Sequence, residues 1–298
     1  MSEPRVSTPP APEWGTFALI LACYGLWLAL LFAPLPAWLS ALLLVPVLTL
    51  HSSLTHEVLH GHPFRSRALN EALMVLPLTL FIPYGRFRDL HLAHHMDARL
   101  TDPYDDPESN YLDPGVWAGL PRWKRTVYAV NNTLLGRILL GPAIGQLRFM
   151  AQDWAQRRDR AAWLAWALHL PGLIAVLALV AVAPLPVWAY LPAAYAALGV
   201  LKIRTFLEHR AHVATRARTV IIEDRGPLAF LFLNNNLHVV HHMNPAAPWH
   251  RLPALYRAGR DRYLACNDGY LFRSYGEVFR RYLIKPKDPV AHPLWHRG

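Results

Sequence analysis

Residues 14–55 read WGTFALILACYGLWLALLFAPLPAWLSALLLVPVLTLHSSLT, with no Asp, Glu, Lys or Arg among them. Pro34 and Pro36 divide the stretch into two apolar runs, Trp14 to Ala33 and Ala37 to about Thr55. Each is close to the ~20 residues a helix needs to cross the hydrocarbon core of a bilayer. Joined by so short a turn, they read as a helical hairpin, because a spanning segment must satisfy its own backbone polar groups. The arrangement recurs in a second interval free of Lys and Arg, between Arg160 and Lys202. There Ala161 to Ala183 and Val187 to Phe206 flank Pro184 and Pro186, and the tip Ala-Pro-Leu-Pro-Val-Trp at 183–188 matches Ala-Pro-Leu-Pro-Ala-Trp at 33–38. A third apolar run, Ala68 to Tyr84, is short and interrupted by Pro77 and Pro83, which makes it a re-entrant or interfacial segment. These readings predict an all-α integral membrane protein with four transmembrane helices in two hairpins.

Composition agrees. Of 298 residues 53% are hydrophobic and only 17% charged, too few charges for a soluble chain of this length. The net charge of +10 raises the question of nucleic acid, but no nucleic-acid motif accompanies the basic stretches at Arg157–Arg160 and Arg280–Arg281. Topology accounts for them better. The hairpin tips carry no cation, while Arg65, Arg67, Arg86, Arg88, Arg157, Arg158, Arg160, Lys202 and Arg204 flank the opposite ends, so the positive-inside rule places both termini in the cytoplasm. The expected organisation is a flexible tail over residues 1–13 and a single membrane domain over 14–298. A cytosolic helical cap is drawn from 85–160 and 207–298, with Leu134 to Leu147 lying along the interface as an amphipathic helix. The first apolar run leads into a second without a small-residue cleavage site, as an anchor does and a signal peptide does not. Two cysteines at different depths, Cys23 and Cys266, do not make a disulfide framework.

Eight of the sixteen histidines fall in three clusters: His56-x-x-x-His60, His91-x-x-His94-His95 and His238-x-x-His241-His242. On a helix, residues spaced i, i+3 and i+4 share a face, so each cluster can aim two or three imidazoles at one point. Structural zinc closes with four ligands, usually including Cys, and catalytic zinc takes three, so eight histidines without paired cysteines exceed one zinc ion and suit two metals. Imidazole binds Fe, Cu, Zn and Ni alike. A redox metal at the membrane surface has a chemical purpose that zinc lacks there, the attack of an inert chain. Two rival classes fit less of the pattern. His56-Glu57-Val58-Leu59-His60 fits the His-Glu-x-x-His pattern of zinc hydrolases, which would leave the other clusters idle. A metal-storing or metal-transporting membrane protein would place ionisable groups along its spans, where only His169 lies away from a span's end.

In kind, order and placement the three clusters resemble those of the membrane fatty acid desaturase/hydroxylase superfamily, histidine-box non-haem di-iron enzymes that include carotenoid ketolase-like members. The resemblance runs from about His51 to Pro253. It is carried by His56-Glu57-Val58-Leu59-His60-Gly61, by His91-Leu92-Ala93-His94-His95 with Asp102-Pro103 and Asp105-Asp106-Pro107 behind it, and by His238-Val239-Val240-His241-His242-Met243-Asn244-Pro245, followed by Pro248-Trp249 and Arg251-Leu252-Pro253. It implies two iron ions (Fe2+/Fe3+) held by His56, His60, His91, His94, His95, His238, His241 and His242. Dioxygen would be the co-substrate for desaturating or hydroxylating an unactivated C–H position, on a fatty acyl lipid first. A carotenoid ketolase or hydroxylase, or a small-molecule hydroxylase, is the alternative within the same superfamily. Members commonly add a histidine between the second and third clusters; here His209 is preferred to His212, being nearer the helix end.

Ligating imidazoles need acceptors for their second N–H, and Glu57, Asp97, Asp102, Asp105, Asp106 and Glu208 are available, of which Asp106 and Glu208 are the expected partners. Asn234, Asn235 and Asn236 either orient a ligand or start a helix. His51 is expected to face headgroups or a neighbouring helix, and His62, His250, His292 and His296 to lie at the surface. His169 is expected to bond a carbonyl freed by the Pro171 kink. No dinucleotide fingerprint, haem-attachment motif or iron–sulfur motif is present, so electrons would come from an external donor such as ferredoxin or rubredoxin with its reductase, docked on the basic face.

Overall fold

The computed structural model describes residues 11–95 and 97–295, without the side chain of Asp97. Residues 1–10 of the expected tail and His296 fall outside the described residues. The chain is mostly helical. Its helices, in order, are α1 (Trp14–Phe32), α2 (Ala37–Leu59), α3 (Arg67–Leu73), α4 (Tyr84–His94), α5 (Pro114–Gly119), α6 (Arg122–Asn131), α7 (Leu134–Ala155), α8 (Arg160–Val182), α9 (Val187–Thr205), α10 (Pro227–Leu231), α11 (His238–Met243), α12 (Leu252–Cys266) and α13 (Tyr275–Tyr282). The strands among the described residues are a two-residue parallel pair, β1 (Ile221–Ile222) and β2 (Leu271–Phe272), a small departure from an all-α fold. Two compact units divide the chain, one of residues 1–88 and 143–200 and one of 89–142 and 201–298. Both cysteines are free.

In the first unit α1 stops at Ala33, whose extended ψ of 140° is what a following proline imposes. α2 starts directly after Pro36 and runs past the apolar stretch to Leu59, where Gly61 at φ 100° reverses the chain. α1, α2 and α8 are long and apolar enough to cross a membrane. α1 buries a single stripe, Thr16, Ile20, Cys23, Trp27 and Leu31, while Leu21, Leu26, Leu28 and Phe32 on its other faces stay exposed. α8 does the same, burying Ala162, His169, Gly172, Val176 and Val180 and exposing Leu164, Leu168 and Ile174. Apolar residues all round a helix suit a lipid surround. α9, as long as α1, contains Pro192 and carries Lys202 and Arg204 in its last turn.

The run expected to be re-entrant or interfacial is helical only over α3, and residues 74–83 have no regular structure. Three of their carbonyls, and that of Leu73 just before them, accept from side chains. Tyr24 Oη donates to Leu73 O at 2.7 Å, Tyr190 Oη to Leu78 O at 2.7 Å, His169 Nε2 to Leu80 O at 2.9 Å and Gln146 Nε2 to Phe81 O at 3.0 Å. His169 therefore bonds a distant carbonyl, 89 residues away, and not one freed within its own helix by Pro171. Leu80 itself sits at φ 72°, a conformation that side chains disfavour and that these bonds hold. Replacing His169 by leucine leaves the Leu80 carbonyl buried and unpaired, with an expected loss of ~1–3 kcal/mol. A thermal-denaturation series in detergent reads it directly.

His51 is buried and donates from Nε2 to Tyr24 Oη of the neighbouring helix at 3.2 Å. One surface expectation, that for His62, is corrected, and one of the flanking cations, Arg86, is also buried. His62 is 1% exposed, with Nδ1 donating to Glu13 at 2.8 Å, and Arg86 is buried against Asp153, whose other oxygen accepts from Trp166 Nε1 at 2.8 Å. Both side chains found carboxylates that lie far away in sequence.

The second unit is built round β1 and β2, paired Ile221 to Leu271 and Ile222 to Phe272. Ile221, Leu237, Val239, Val240, Leu252, Tyr256 and Tyr263 form its apolar cluster. Leu233 and Asn234, at φ 50° and 57°, turn the chain into α11, and Asn236 pins the turn through Nδ2 to Ile222 O at 2.6 Å. Val239 and Val240 thus anchor α11 in the core and leave His238, His241 and His242 for another face.

Candidate metal centre

Seven of the candidate ligands belong to the second unit. α4 contributes His91 and His94 near its C-terminus, with His95 in the turn that follows; α11 contributes His238, His241 and His242. His209 sits just past α9 in an antiparallel bridge with Thr219. The ring nitrogens gather in two sets. In one, ligand atoms of His94, His209, His238 and His242 all lie within 4.8 Å of one another; in the other, His91, His95 and His241 do the same. Nε2 faces Nε2 throughout: His94 to His209 2.9 Å, His209 to His238 3.2 Å, His238 to His242 3.2 Å, His91 to His95 3.0 Å and His95 to His241 3.1 Å. His56 and His60 belong to the first unit, on the last turn and cap of α2, both buried, with ring centroids 4.9 Å apart.

The outer nitrogens explain this orientation. His91 Nδ1 donates to Glu108 at 2.8 Å, His94 Nδ1 to Asp106 at 2.7 Å and His238 Nδ1 to Asn235 at 2.9 Å. With the proton fixed on Nδ1, each Nε2 presents a lone pair inward. Lone pairs facing at about 3 Å repel unless a cation lies between them. Nitrogens at ~2.1 Å from one metal and at right angles to each other stand ~3.0 Å apart, the spacing found here. The donor set therefore fits a metal with several imidazole ligands. Burial pushes His209 and His238 well below the usual imidazole range, keeping them neutral; burial opposes charge on His94 too, yet without a cation Glu108, Asp106 and Glu208 hold its pKa up at about 9, so a metal there would take the place of a proton on Nε2.

Of the expected acceptors, Asp106 is 5% exposed and serves His94, while its second oxygen accepts from Thr101 N at 2.8 Å. Asp102 caps the turn through Tyr104 N and Asp105 N, the ordinary role of an Asp-Pro step. Glu208 pairs with Arg204 at 3.0 Å and lies 3.8 Å from His238 Nδ1, whose bond goes to Asn235 instead. Glu57 lies in the first unit beside His62, at 3.9 Å. Glu108 was missed in the sequence, although it directly follows Asp105-Asp106-Pro107 on the same loop. His212 turns away toward Ala214 and Asp268, His250 is exposed, and His292 is buried, contrary to expectation, with Nε2 on Thr101 Oγ1 at 3.2 Å.

Residues 33–274, most of the chain, match the Fatty acid desaturase family. The chain belongs to the fatty acid desaturase family. It is also 28% identical over 220 residues, 69% of its own length and 73% of the relative's, to a Beta-carotene ketolase from Paracoccus sp. (strain N81106 / MBIC 01143). The desaturase match runs from the α1–α2 turn to the start of α13 and so includes all three histidine clusters. This desaturase-family chain is a membrane protein and an oxidoreductase of the desaturase/hydroxylase type.

Proposed function

We propose that the protein is a di-iron oxygenase that uses dioxygen and an external electron donor to desaturate or hydroxylate an unactivated C–H position of a fatty acyl lipid. The observation that carries the reading is the inward-facing Nε2 array of seven imidazoles, each of three backed through Nδ1 by Glu108, Asp106 or Asn235. His91, His94, His95, His209, His238, His241 and His242 are assigned as ligands, and His56 and His60 are added on the histidine-box pattern of the family. When bound, two irons would supply the dioxygen activation that removes hydrogen from an inert chain. The chain's own part is to hold the rings in one tautomer and to keep water from them, which the burial of His91, His94, His238 and His241 serves. Asp106 and Glu108 keep the ring protons on the outer nitrogens, and Glu208, through Arg204, sets the charge beside His238.

We read α9 as a fourth span completing the second hairpin, both termini and the metal ligands as cytoplasmic, and a ferredoxin or rubredoxin with its reductase as the donor. A second reading has its own support: the ketolase relative favours a carotenoid ring over an acyl chain. Mass spectrometry of lipid and pigment extracts from cells co-expressing a reductase system with wild type or His94→Ala separates them. A product found only with wild type is expected, lighter by two hydrogens for desaturation, heavier by one oxygen for hydroxylation, and both for ketolation. Identical extracts from a wild type purified with zinc or without iron would sink the di-iron reading.

A further inference from the structure

We propose that the segment 286–295, beyond α13, is a positioning strap for the four-histidine set, with Lys287 as its key side chain. The inference rests on the metal reading above. Lys287 Nζ donates to the main-chain carbonyl of His209 at 2.7 Å, and its side chain is only 5% exposed. Asp288 acts one step further off: it accepts from Tyr111 Oη at 2.5 Å, and that oxygen accepts from Ala211 N at 2.9 Å. The two residues hold the stretch 209–211 from one side, while Arg218 O and the Thr219 bridge hold it from the other. A ligand on a segment outside any helix has no ladder of its own to fix its carbonyl, so this clamp supplies it.

The far end of the strap reaches a second ligand of the same set. His292 accepts from Leu294 N through Nδ1, so its Nε2 carries the proton and donates to Thr101 Oγ1 at 3.2 Å. Thr101 N donates to Asp106 Oδ2, and Asp106 Oδ1 receives His94 Nδ1. Between these ends the strap is pinned by Lys287 N to Asn132 O, Asn132 Nδ2 to Asp288 O, Leu112 N to Val290 O at 2.9 Å and His292 N to Leu112 O at 2.8 Å. His94 and His209, whose Nε2 atoms stand 2.9 Å apart, are thus set from one piece of chain. The bonds that run from the strap end on His209 and, through Thr101 and Asp106, on His94, so its effect is expected at the set to which those two rings belong.

The test measures iron per folded chain in the purified detergent-solubilised protein, together with amide hydrogen exchange at Ala211. Lys287→Met keeps the length of the side chain and removes the donor; Lys287→Arg restores a donor; Lys285→Ala, exposed just before the strap, is the control. Wild type, Lys285→Ala and Lys287→Arg are expected to hold about two irons, and Lys287→Met about one, following a ~10–100-fold loss of affinity at one set. A role in folding alone would lose both irons together with the folded protein. Ala211 exchange is expected to quicken at least about tenfold in Lys287→Met and in Tyr111→Phe, the latter leaving that amide without its acceptor. Wild-type iron content and exchange in Lys287→Met would overturn the strap. A wild type without iron would instead overturn the metal reading, and unchanged Ala211 exchange would then overturn the strap independently.

Discussion

Asp106→Asn is expected to weaken metal binding ~10–100-fold, the usual cost of losing a ligand's outer partner, while the yield of folded protein stays near wild type. The side chain serves two directions at once. One oxygen receives His94 Nδ1 at 2.7 Å and Glu108 N at 2.9 Å, the other receives Thr101 N at 2.8 Å. An asparagine can keep one oxygen on Thr101 N and so hold that end of the loop, but its amide NH2 then meets the His94 N–H and the Glu108 N–H, donor against donor. His94 relieves the clash by moving its proton to Nε2, the nitrogen that has to offer a lone pair. The loss falls on affinity and turnover together, and isothermal titration with ferrous ion under anaerobic conditions reads the first. Unchanged affinity in Asp106→Asn would mean that His94 is not held as a ligand through Nδ1.

Gly172→Ala is expected to prevent accumulation of folded protein. A methyl group on Gly172 would stand 2.0 Å from Val75 O, 3.1 Å from Val75 C and 3.0 Å from Pro77 Cδ. Two of those atoms are backbone, so neither rotamer changes nor small shifts relieve the contact. α8 and residues 74–77 would have to separate, and the bond from His169 to Leu80 O, one turn of helix away, would go with them. Overpacking of side chains alone costs ~1–3 kcal/mol, and a backbone collision of this depth exceeds it. Membrane-fraction yield and size-exclusion profile of the variant check the outcome, and wild-type yield with unaltered melting would refute it. Gly15 and Gly25 in α1, where an added methyl meets nothing within 4 Å, are the matched controls.

The helices were legible where hydropathy and proline act together. α1 and α8 begin and end within a residue of their apolar runs, because Pro34 and Pro184 force the preceding residues out of helical geometry. α2 extends four residues beyond its apolar run because Thr55 to Leu59 contains nothing that breaks a helix before Gly61, and hydropathy is blind to that continuation. The patch at Leu134 to Leu147 proved to be the first part of a longer helix for the same reason: the polar residues after it are good helix formers. Long-range partners were not legible. Nothing local in His62, Arg86 or His292 marks them as buried, since each depends on a group brought from far along the chain: Glu13, Asp153 and Thr101. Glu108 is a carboxylate on the loop behind the second cluster, and nothing local sets it apart from the Asp-Pro steps that precede it.

The carbonyls of residues 74–83 that depend on distant side chains also set an order of events during synthesis. Leu80 O waits for His169, 89 residues later, and Leu78 O for Tyr190, 112 residues later. At roughly 5–20 residues per second, the ribosome takes on the order of 5–20 s to deliver those partners. Over that interval the first hairpin is complete while the stretch after α3 is still provisional. A nascent chain arrested before α8 therefore exposes a defined, short target for a membrane chaperone or protease, and arrival of the second hairpin erases it.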